Sequence, residues 1–226
     1  MRVMSSNSVL TLYHGSRMVV RHPRYGIGSP FNDYGPGFYC TEFIDLAREW
    51  ACPELLGGFV NEYHLPMKGL RVLNLDAPNY SSLNWIAVLL AHRKFDITTP
   101  VMARARDFML ERYAICVDEA DVVTGYRADD SYFSFARAFL DNRISLRQLE
   151  AALRFGELGR QVVIKSPRAF DALAFVREES VDGSIWHPKR MSRDRRVRND
   201  YKALVVSGDV QPDDIFMIDL LRGAVL

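Results

Sequence analysis

Residues 12–17 read LYHGSR and end a short apolar run with a histidine beside a glycine. The residues before them are rich in strand formers and alternate roughly in polarity, so residues 8–15, SVLTLYHG, are predicted to form a strand that ends at Gly15. Taken alone, His14 is most simply a hydrogen-bonded residue at a strand end. The alternative is that His14 and Gly15 together contact a ligand.

The segments beyond this strand predict short strands with helices inserted between them. Residues 22–37 contain three prolines and four glycines, so they are predicted to form a loop. Further strands are predicted in GFYCT, GFVNEYHLP, LRVLNLD, DVVTGY and QVVIKS. Helices are predicted in EFIDLAREWACPE, residues 81–94, residues 100–113, DDSYFSFARAFLDN, SLRQLEAALRFG and a short segment after Ser166. This order is typical of an α+β fold and not of a regular βαβ alternation.

Apolar spacing and helix-end signals predict some details of these helices. In EFIDLAREWACPE, the spacing i, i+3, i+4, i+7 predicts one buried face, formed by Phe43, Leu46, Ala47 and Trp50. In residues 81–94 a core stripe is predicted to include Trp85, Val88 and Leu89. The helix in SLRQLEAALRFG is predicted to be capped by Ser145 and to stop at Gly156.

The C-terminal part of the chain differs in composition from the rest. Residues 187–202, HPKRMSRDRRVRNDYK, carry seven Lys or Arg against two Asp. A solvated surface is the simplest prediction, and a docking patch for an acceptor or a nucleic acid is the alternative. The segments ALVVS and DIFMIDLL are predicted to be closing strands. The chain is therefore divided into a domain over residues 8–180 and a segment 181–226 expected to pack on it.

Composition excludes some classes of protein. The formal net charge is only +1, which gives no general electrostatic reason to expect a nucleic acid or a membrane as partner. Three scattered cysteines are too few for a disulfide framework and lack zinc-site spacing. Without an apolar run long enough for a signal peptide or a membrane helix, the protein is expected to be cytoplasmic where it is made. Delivery to another cell as an effector is the alternative.

Four segments in chain order, LYHGS, DYGPGFYCT, RADD and RQVVIK, resemble motifs of the ADP-ribosyltransferase superfamily. The resemblance is to the branch that begins with a histidine, which includes the poly(ADP-ribose) polymerases and the diphtheria-type toxins. Within that branch the chain is most similar to bacterial domains that are largely uncharacterised. The resemblance covers residues 11–178. It implies an α+β fold with a split mixed β-sheet core and inserted helices, NAD as co-substrate and no metal.

The resemblance also implies roles for individual residues. Neutral His14 would hydrogen-bond a ribose hydroxyl, and the backbone of Gly15, which has no Cβ, would contact the nicotinamide carboxamide. Tyr39 and Trp50 fit the positions whose rings stack on nicotinamide. The loop over residues 22–35 is expected to border the pocket. Two polar residues are expected to be secondary contacts without an assigned role: Ser16 and Asp33.

Gln161 departs from the best-known members, which have a glutamate at the start of this strand. Such a carboxylate binds a ribose hydroxyl and stabilises the positive charge that forms as nicotinamide leaves. Gln161 keeps an acceptor oxygen but has no charge and cannot act as a base. Asp129 and Asp130 are candidates for the missing carboxylate, and the alternative is that they cap the following helix.

The implied function is a mono-ADP-ribosyltransferase that moves ADP-ribose from NAD to a macromolecular acceptor and releases nicotinamide. The acceptor is expected to be a protein rather than a nucleic acid, no membrane is expected as partner, and a neutralising partner protein is a further expectation. Two alternatives stay open. One is an NAD glycohydrolase, with water as acceptor, and the other is a module that binds NAD or ADP-ribose without turnover, which Gln161 favours.

Overall fold

The computed structural model describes residues 1–3, 7–127, 130–155 and 160–224, with the backbone alone at 2, 130 and 131. Its strands are β1 Arg2–Val3, β2 Val9–Ser16, β3 Phe38–Thr41, β4 Gly58–Pro66, β5 Arg71–Asn74, β6 Val122–Tyr126, β7 Arg160–Ile164 and β8 Ala174–Val181. Its helices are α1 Ile44–Ala51, α2 Ser82–His92, α3 Pro100–Arg112, α4 Asp130–Leu140, α5 Leu146–Ala152, α6 Pro167–Ala172, α7 Gly183–Val206 and α8 Met217–Leu221.

The strands form one mixed sheet in the order β1-β5-β6-β7-β3-β2-β4-β8. Strands β5 and β6 pair in parallel, and the other neighbouring pairs are antiparallel. Helices α2 and α3 lie between β5 and β6 in the chain, as a parallel connection requires. The predicted α+β class with inserted helices is therefore confirmed.

The sheet is weakly joined at its middle, between β2 and β3. Strand β2 pairs with β4 along its whole length, from Val9 to Ser16. Its ladder with β3 consists, among the described residues, of one residue pair, Tyr13 opposite Thr41. The described ladder does not extend beyond this pair, and a cleft lies next to the LYHGS segment, lined by His14, Gly15 and Tyr39.

Apolar side chains cover both faces of the sheet. On one face a large core joins the sheet to α2, α3, α4 and α5, and the predicted core residues Trp85, Val88 and Leu89 are buried in it. On the other face a smaller core includes Leu12 of β2 and packs around α6. A third cluster lies between α1 and β4. Burying side chains of this size contributes about 1.5–3 kcal/mol each, so these cores hold the elements around the cleft in place.

The predicted details of two helices, α5 and α1, can be compared with the structure. Ser145 caps α5 by accepting a hydrogen bond from the Gln148 backbone, as predicted, while Gly156 lies outside the described residues. The predicted apolar face of α1 is wrong at Phe43, whose side chain is 52% exposed. Phe43 has an extended backbone and its N–H donates to the Thr41 hydroxyl, so it precedes the helix and does not share its periodicity.

The predicted closing strands at the C-terminus are wrong. ALVVS ends the helix α7, and DIFMIDLL contains the short helix α8. The strand that closes the sheet is β8, which pairs with β4 over residues that no sequence pattern had indicated. Helix α7 packs against α1, α4 and α5, so part of segment 181–226 lies on the body of the domain. None of the described helices is both long and apolar enough to span a membrane.

Candidate functional site

The cleft beside β2 and β3 is open to solvent and has a volume of about 440 Å³. That volume is within the range of ordinary ligand sites, about 300–1,000 Å³. Six of the residues that the sequence singled out line it: His14, Gly15, Asp33, Tyr39, Trp50 and Gln161. They come from β2, the loop before β3, β3, α1 and β7, so only the fold brings them together.

His14 of β2 connects to β3 through its side chain. Its Nδ1 atom lies 2.7 Å from the carbonyl oxygen of Tyr39, which can only accept, so Nδ1 carries the proton. Its ring packs 4.4 Å from the ring of Phe38, centroid to centroid. Burial lowers the pKa of His14 below its ordinary value, and the hydrogen bond to Tyr39 opposes this effect only in part. The ring is therefore neutral at pH 7, and Nε2 can accept a hydrogen bond.

Gly15 is required by the close packing of β2 against α1. A Cβ atom at this position would overlap the carbonyl oxygen of Ala47 and lie 2.7 Å from the backbone nitrogen of Ala51. Its backbone therefore lines the cleft at a point where no side chain could fit. This is the close backbone approach that glycine permits.

Tyr39 anchors the end of the loop that precedes β3. Its hydroxyl donates to the Gly35 carbonyl oxygen at 2.7 Å and accepts from the Tyr34 N–H at 3.0 Å. The fully buried Tyr34 is held in turn by Lys165, whose ammonium donates to its carbonyl oxygen at 2.6 Å. Tyr39 and Lys165 thus hold the segment between Asp33 and Gly37, two residues that line the cleft.

Trp50 presents an unsatisfied donor in the site. Its indole Nε1 is buried and has no hydrogen-bond partner among the described residues. Buried polar atoms are seldom left unpaired, so Nε1 is a candidate donor to a ligand. The guanidinium of Arg127 lies 5.0 Å from the centre of the Trp50 ring. A stacked ligand would therefore have to share this ring with a cation.

Gln161 lies in the centre of the sheet, with Thr41 of β3 on one side and Gly125 of β6 on the other. Its Nε2 donates to Asp33 Oδ2 at 2.8 Å and to the Tyr126 carbonyl oxygen at 3.2 Å. Both partners can only accept, which fixes the orientation of the amide. Its Oε1 accepts no hydrogen bond from the described residues and is left as an acceptor in the cleft.

Asp33 is more central than the sequence suggested. Its side chain is only 7% exposed, and Oδ1 forms an ion pair with Arg93 at 3.0 Å. It therefore connects the loop before β3 both to β7, through Gln161, and to the segment after α2, through Arg93. A buried carboxylate is tolerated when it is paired and hydrogen-bonded in this way.

The other polar candidates are not brought into the cleft by the described structure. The hydroxyl of Ser16 donates to the Met18 carbonyl oxygen at 2.6 Å and accepts from Asn61, so it stabilises the end of β2. Asp129 lies outside the described residues. Asp130 begins α4, and its side chain is likewise outside what the structure describes.

Three arginines in the cleft were missed by the sequence reasoning: Arg93, Arg127 and Arg190. Arg93 follows α2 and no motif marks it, whereas Arg127 is the first residue of the RADD segment, in which the sequence reasoning considered only the two aspartates. Arg190 belongs to the basic run that was predicted to be a solvated surface. A salt bridge between Arg193 and Glu49 attaches α7 to α1 and so brings Arg190 to the rim.

A second cavity, of about 500 Å³, lies between α3, α4 and α7. We call it the helical cavity. Its lining includes an ion pair of Arg143 with Asp141 at 2.7 Å, and Tyr201 of its wall stacks on Phe135 of the core. Its described lining contains none of the motif residues, so the cleft is the stronger candidate site. Within the described residues, no group of three His, Cys, Asp or Glu side chains could hold a metal ion.

Comparison with known proteins places the chain in a family. Residues 10–175 match the model of a family described as protein of unknown function, DUF3990. The match covers most of the chain, so the protein belongs to this family. No curated protein and no solved structure matches it. The matched range contains His14, Gly15, Tyr39, Trp50 and Gln161, whereas α7 lies outside it.

Proposed function

We propose that the protein is an NAD-dependent mono-ADP-ribosyltransferase that transfers ADP-ribose to a protein acceptor and releases nicotinamide. The observation that carries this proposal is the convergence of His14, Gly15, Tyr39, Trp50 and Gln161 on one cleft. They lie up to 147 positions apart in the sequence, where only their resemblance to NAD-binding motifs connects them.

The nicotinamide would lie against β2 and α1 in this proposal. The backbone of Gly15 lines the cleft and can pair with the carboxamide group. The ring of Tyr39 supplies an aromatic surface, and the unsatisfied Nε1 of Trp50 supplies a donor. Aromatic faces suit a planar ring that carries positive charge.

The ribose next to nicotinamide would lie between β2 and β7. Nε2 of His14 and Oε1 of Gln161 are both acceptors, because the other nitrogen of the His14 ring and the amide nitrogen of Gln161 already donate to the protein. Two acceptors suit the two hydroxyl groups of a ribose, which can donate to both. The same pair would not suit an unmodified phosphate diester, which has no hydrogen to donate at neutral pH.

The diphosphate would lie near the arginines of the cleft. Among the described residues, Arg93, Arg127 and Arg190 line the cleft together with a single carboxylate, that of Asp33. The described cleft residues thus carry a formal excess of two positive charges, although the whole chain has a net charge of only +1. Guanidinium groups are well suited to phosphate oxygens.

We also propose that the fold is that of the ADP-ribosyltransferases, with a split sheet. The single ladder pair between β2 and β3 in the described structure supports this proposal, because it divides the sheet into two parts. The candidate site lies at that division, where His14 of one part bonds to Tyr39 of the other.

Incubation with NAD labelled in its adenylate phosphate tests the proposal and separates it from its alternatives. We expect label on protein when the purified chain is incubated with NAD and a bacterial extract. Free labelled ADP-ribose without protein labelling would indicate a glycohydrolase, and intact NAD that is nevertheless bound would indicate a binding module. The matched control is His14→Ala, which removes one ribose acceptor. Absence of NAD binding by the unmodified protein would contradict the whole proposal.

A further inference from the structure

Gln161 carries no negative charge, but a carboxylate is present beside it in the cleft. This carboxylate belongs to Asp33, in the loop between β2 and β3. Asp33 is the one carboxylate among the described residues that line the cleft. It lies 128 positions before Gln161, yet its Oδ2 atom is 2.8 Å from the amide nitrogen of Gln161. The two side chains therefore form one polar unit, which we call the Asp33–Gln161 pair.

The pair is rigid because its atoms have fixed neighbours. Arg93 holds Oδ1 of Asp33 at 3.0 Å. The second hydrogen of the Gln161 amide goes to the Tyr126 carbonyl oxygen, which also accepts from the Tyr34 hydroxyl at 2.5 Å and the Trp85 indole at 3.2 Å. An amide whose nitrogen donates twice can present only its oxygen to the cleft.

We propose that Asp33 acts through Gln161 as the positioning carboxylate of the site, which fixes the amide oxygen toward ribose and polarises it. This inference rests on the proposed function. When the bond between ribose and nicotinamide breaks, its electron pair leaves with nicotinamide, and positive charge develops on the ribose ring. The acceptor then forms the new bond to ribose and gives up its proton. A hydrogen bond to a carboxylate increases the negative partial charge on the amide oxygen, which stabilises that cation.

The geometry also explains why a glutamate would not suit position 161. One of its carboxylate oxygens would replace Nε2 and face two acceptors, Asp33 Oδ2 and the Tyr126 carbonyl oxygen. Both contacts would change from attractive to repulsive unless the new carboxyl group kept its proton. A glutamine at position 161 can donate hydrogen bonds to Asp33 and to the Tyr126 carbonyl oxygen, whereas an ionised glutamate could not. In this inference Gln161 is therefore a functional residue and not a loss of the glutamate.

Three variants and one control test this inference by NAD turnover: Asp33→Asn, Gln161→Glu, the double variant Asp33→Asn/Gln161→Glu, and Asp121→Asn. Asp121 is also buried and paired with an arginine, Arg71, but it precedes β6 at the end opposite Tyr126. We expect each single variant of the pair to lower kcat by about 10- to 100-fold, with KM within about threefold, as for other positioning groups. The control should keep its kcat.

The double variant distinguishes a functional pair from a merely structural one. The amide introduced at position 33 can donate to the carboxylate introduced at position 161, so the pair is restored with its charge moved, although the repulsion between that carboxylate and the Tyr126 carbonyl oxygen remains. We expect kcat to recover about tenfold relative to Gln161→Glu. Gln161→Glu on its own should also be less stable at pH 7 than at pH 4.5, where the added carboxyl group is protonated, in thermal melts of the same samples.

The outcomes separate this inference from the proposed function. If the unmodified protein binds NAD but leaves it intact, the proposed function fails and this inference fails with it. If the unmodified protein is active, a Gln161→Glu variant with higher kcat overturns the inference alone, as does a folded Asp33→Asn variant with unchanged kcat. Should Asp33→Asn not fold, the comparison of Gln161→Glu with the double variant decides, because equal turnover of the two would overturn it.

Discussion

At the scale of single residues, the proposed binding of a ribose depends on the protonation state of His14. The Tyr39 carbonyl oxygen requires the proton on Nδ1, and burial keeps the second nitrogen without one by lowering the pKa. A protonated ring would have no acceptor, and it would place a positive charge beside the cation that would form in the proposed reaction. His14 is thus expected to act only in its neutral form.

This predicts a one-sided pH dependence of NAD binding. Because the pKa of His14 lies below the ordinary value of about 6.5, affinity should change little between pH 8 and pH 7 and should fall as the pH decreases through the pKa of this ring. Calorimetric titration of NAD at several pH values measures this dependence. The His14→Ala variant should bind NAD more weakly, and its affinity should no longer fall at low pH. A decrease that persists in the variant would assign it to another group, such as His92 beside Gly35.

Sequence reasoning found the motif residues but not the contacts between them. His14, Gly15, Tyr39 and Gln161 could be identified because each belongs to a recognisable local pattern. The bond between Asp33 and Gln161 could not, because it depends on where a loop returns against a strand far along the chain. The missing carboxylate was therefore sought next to a helix start, whereas the fold places a carboxylate, that of Asp33, against Gln161 itself.

At the scale of secondary structure, α7 shows why the C-terminal segment was predicted wrongly. Few of its side chains are buried, with Val197 the principal one, so it has almost no apolar stripe by which a helix can be recognised. The apolar residues ALVVS at its end were predicted to form a buried strand. In the structure they end α7, and Val206 is 85% exposed. The basic residues, by contrast, were correctly assigned to the surface apart from those at the α1 contact.

Helix α7 is predicted to contribute to ligand affinity through Arg190. Arg190→Gln should weaken binding of NAD and of ADP-ribose by about tenfold, since one charged hydrogen bond contributes about 1.5 kcal/mol. Binding of nicotinamide alone should not change, because it has no phosphate. Arg196→Gln is the matched control, since Arg196 is on the same helix but exposed to solvent. Equal losses in the two variants would indicate a general charge effect and contradict a specific role for Arg190.

At the scale of the whole molecule, the cleft results from the way the sheet is joined. Extensive cores on both faces hold β7 and β2 in place, while in the described structure a single ladder pair connects the two parts of the sheet at β2 and β3. The cleft can therefore open between β2 and β3 while the cores on both faces of the sheet stay packed. Three arginines on separate elements then concentrate positive charge on a chain that is almost neutral.

The most direct test of the central claim is a crystal structure of the protein soaked with NAD. We predict nicotinamide against Gly15, and ribose hydroxyl groups within hydrogen-bond distance, about 3 Å, of His14 Nε2 and Gln161 Oε1. The diphosphate should lie near Arg127 and Arg190. NAD bound in the helical cavity, or in the cleft with its ribose away from both acceptors, would contradict the account.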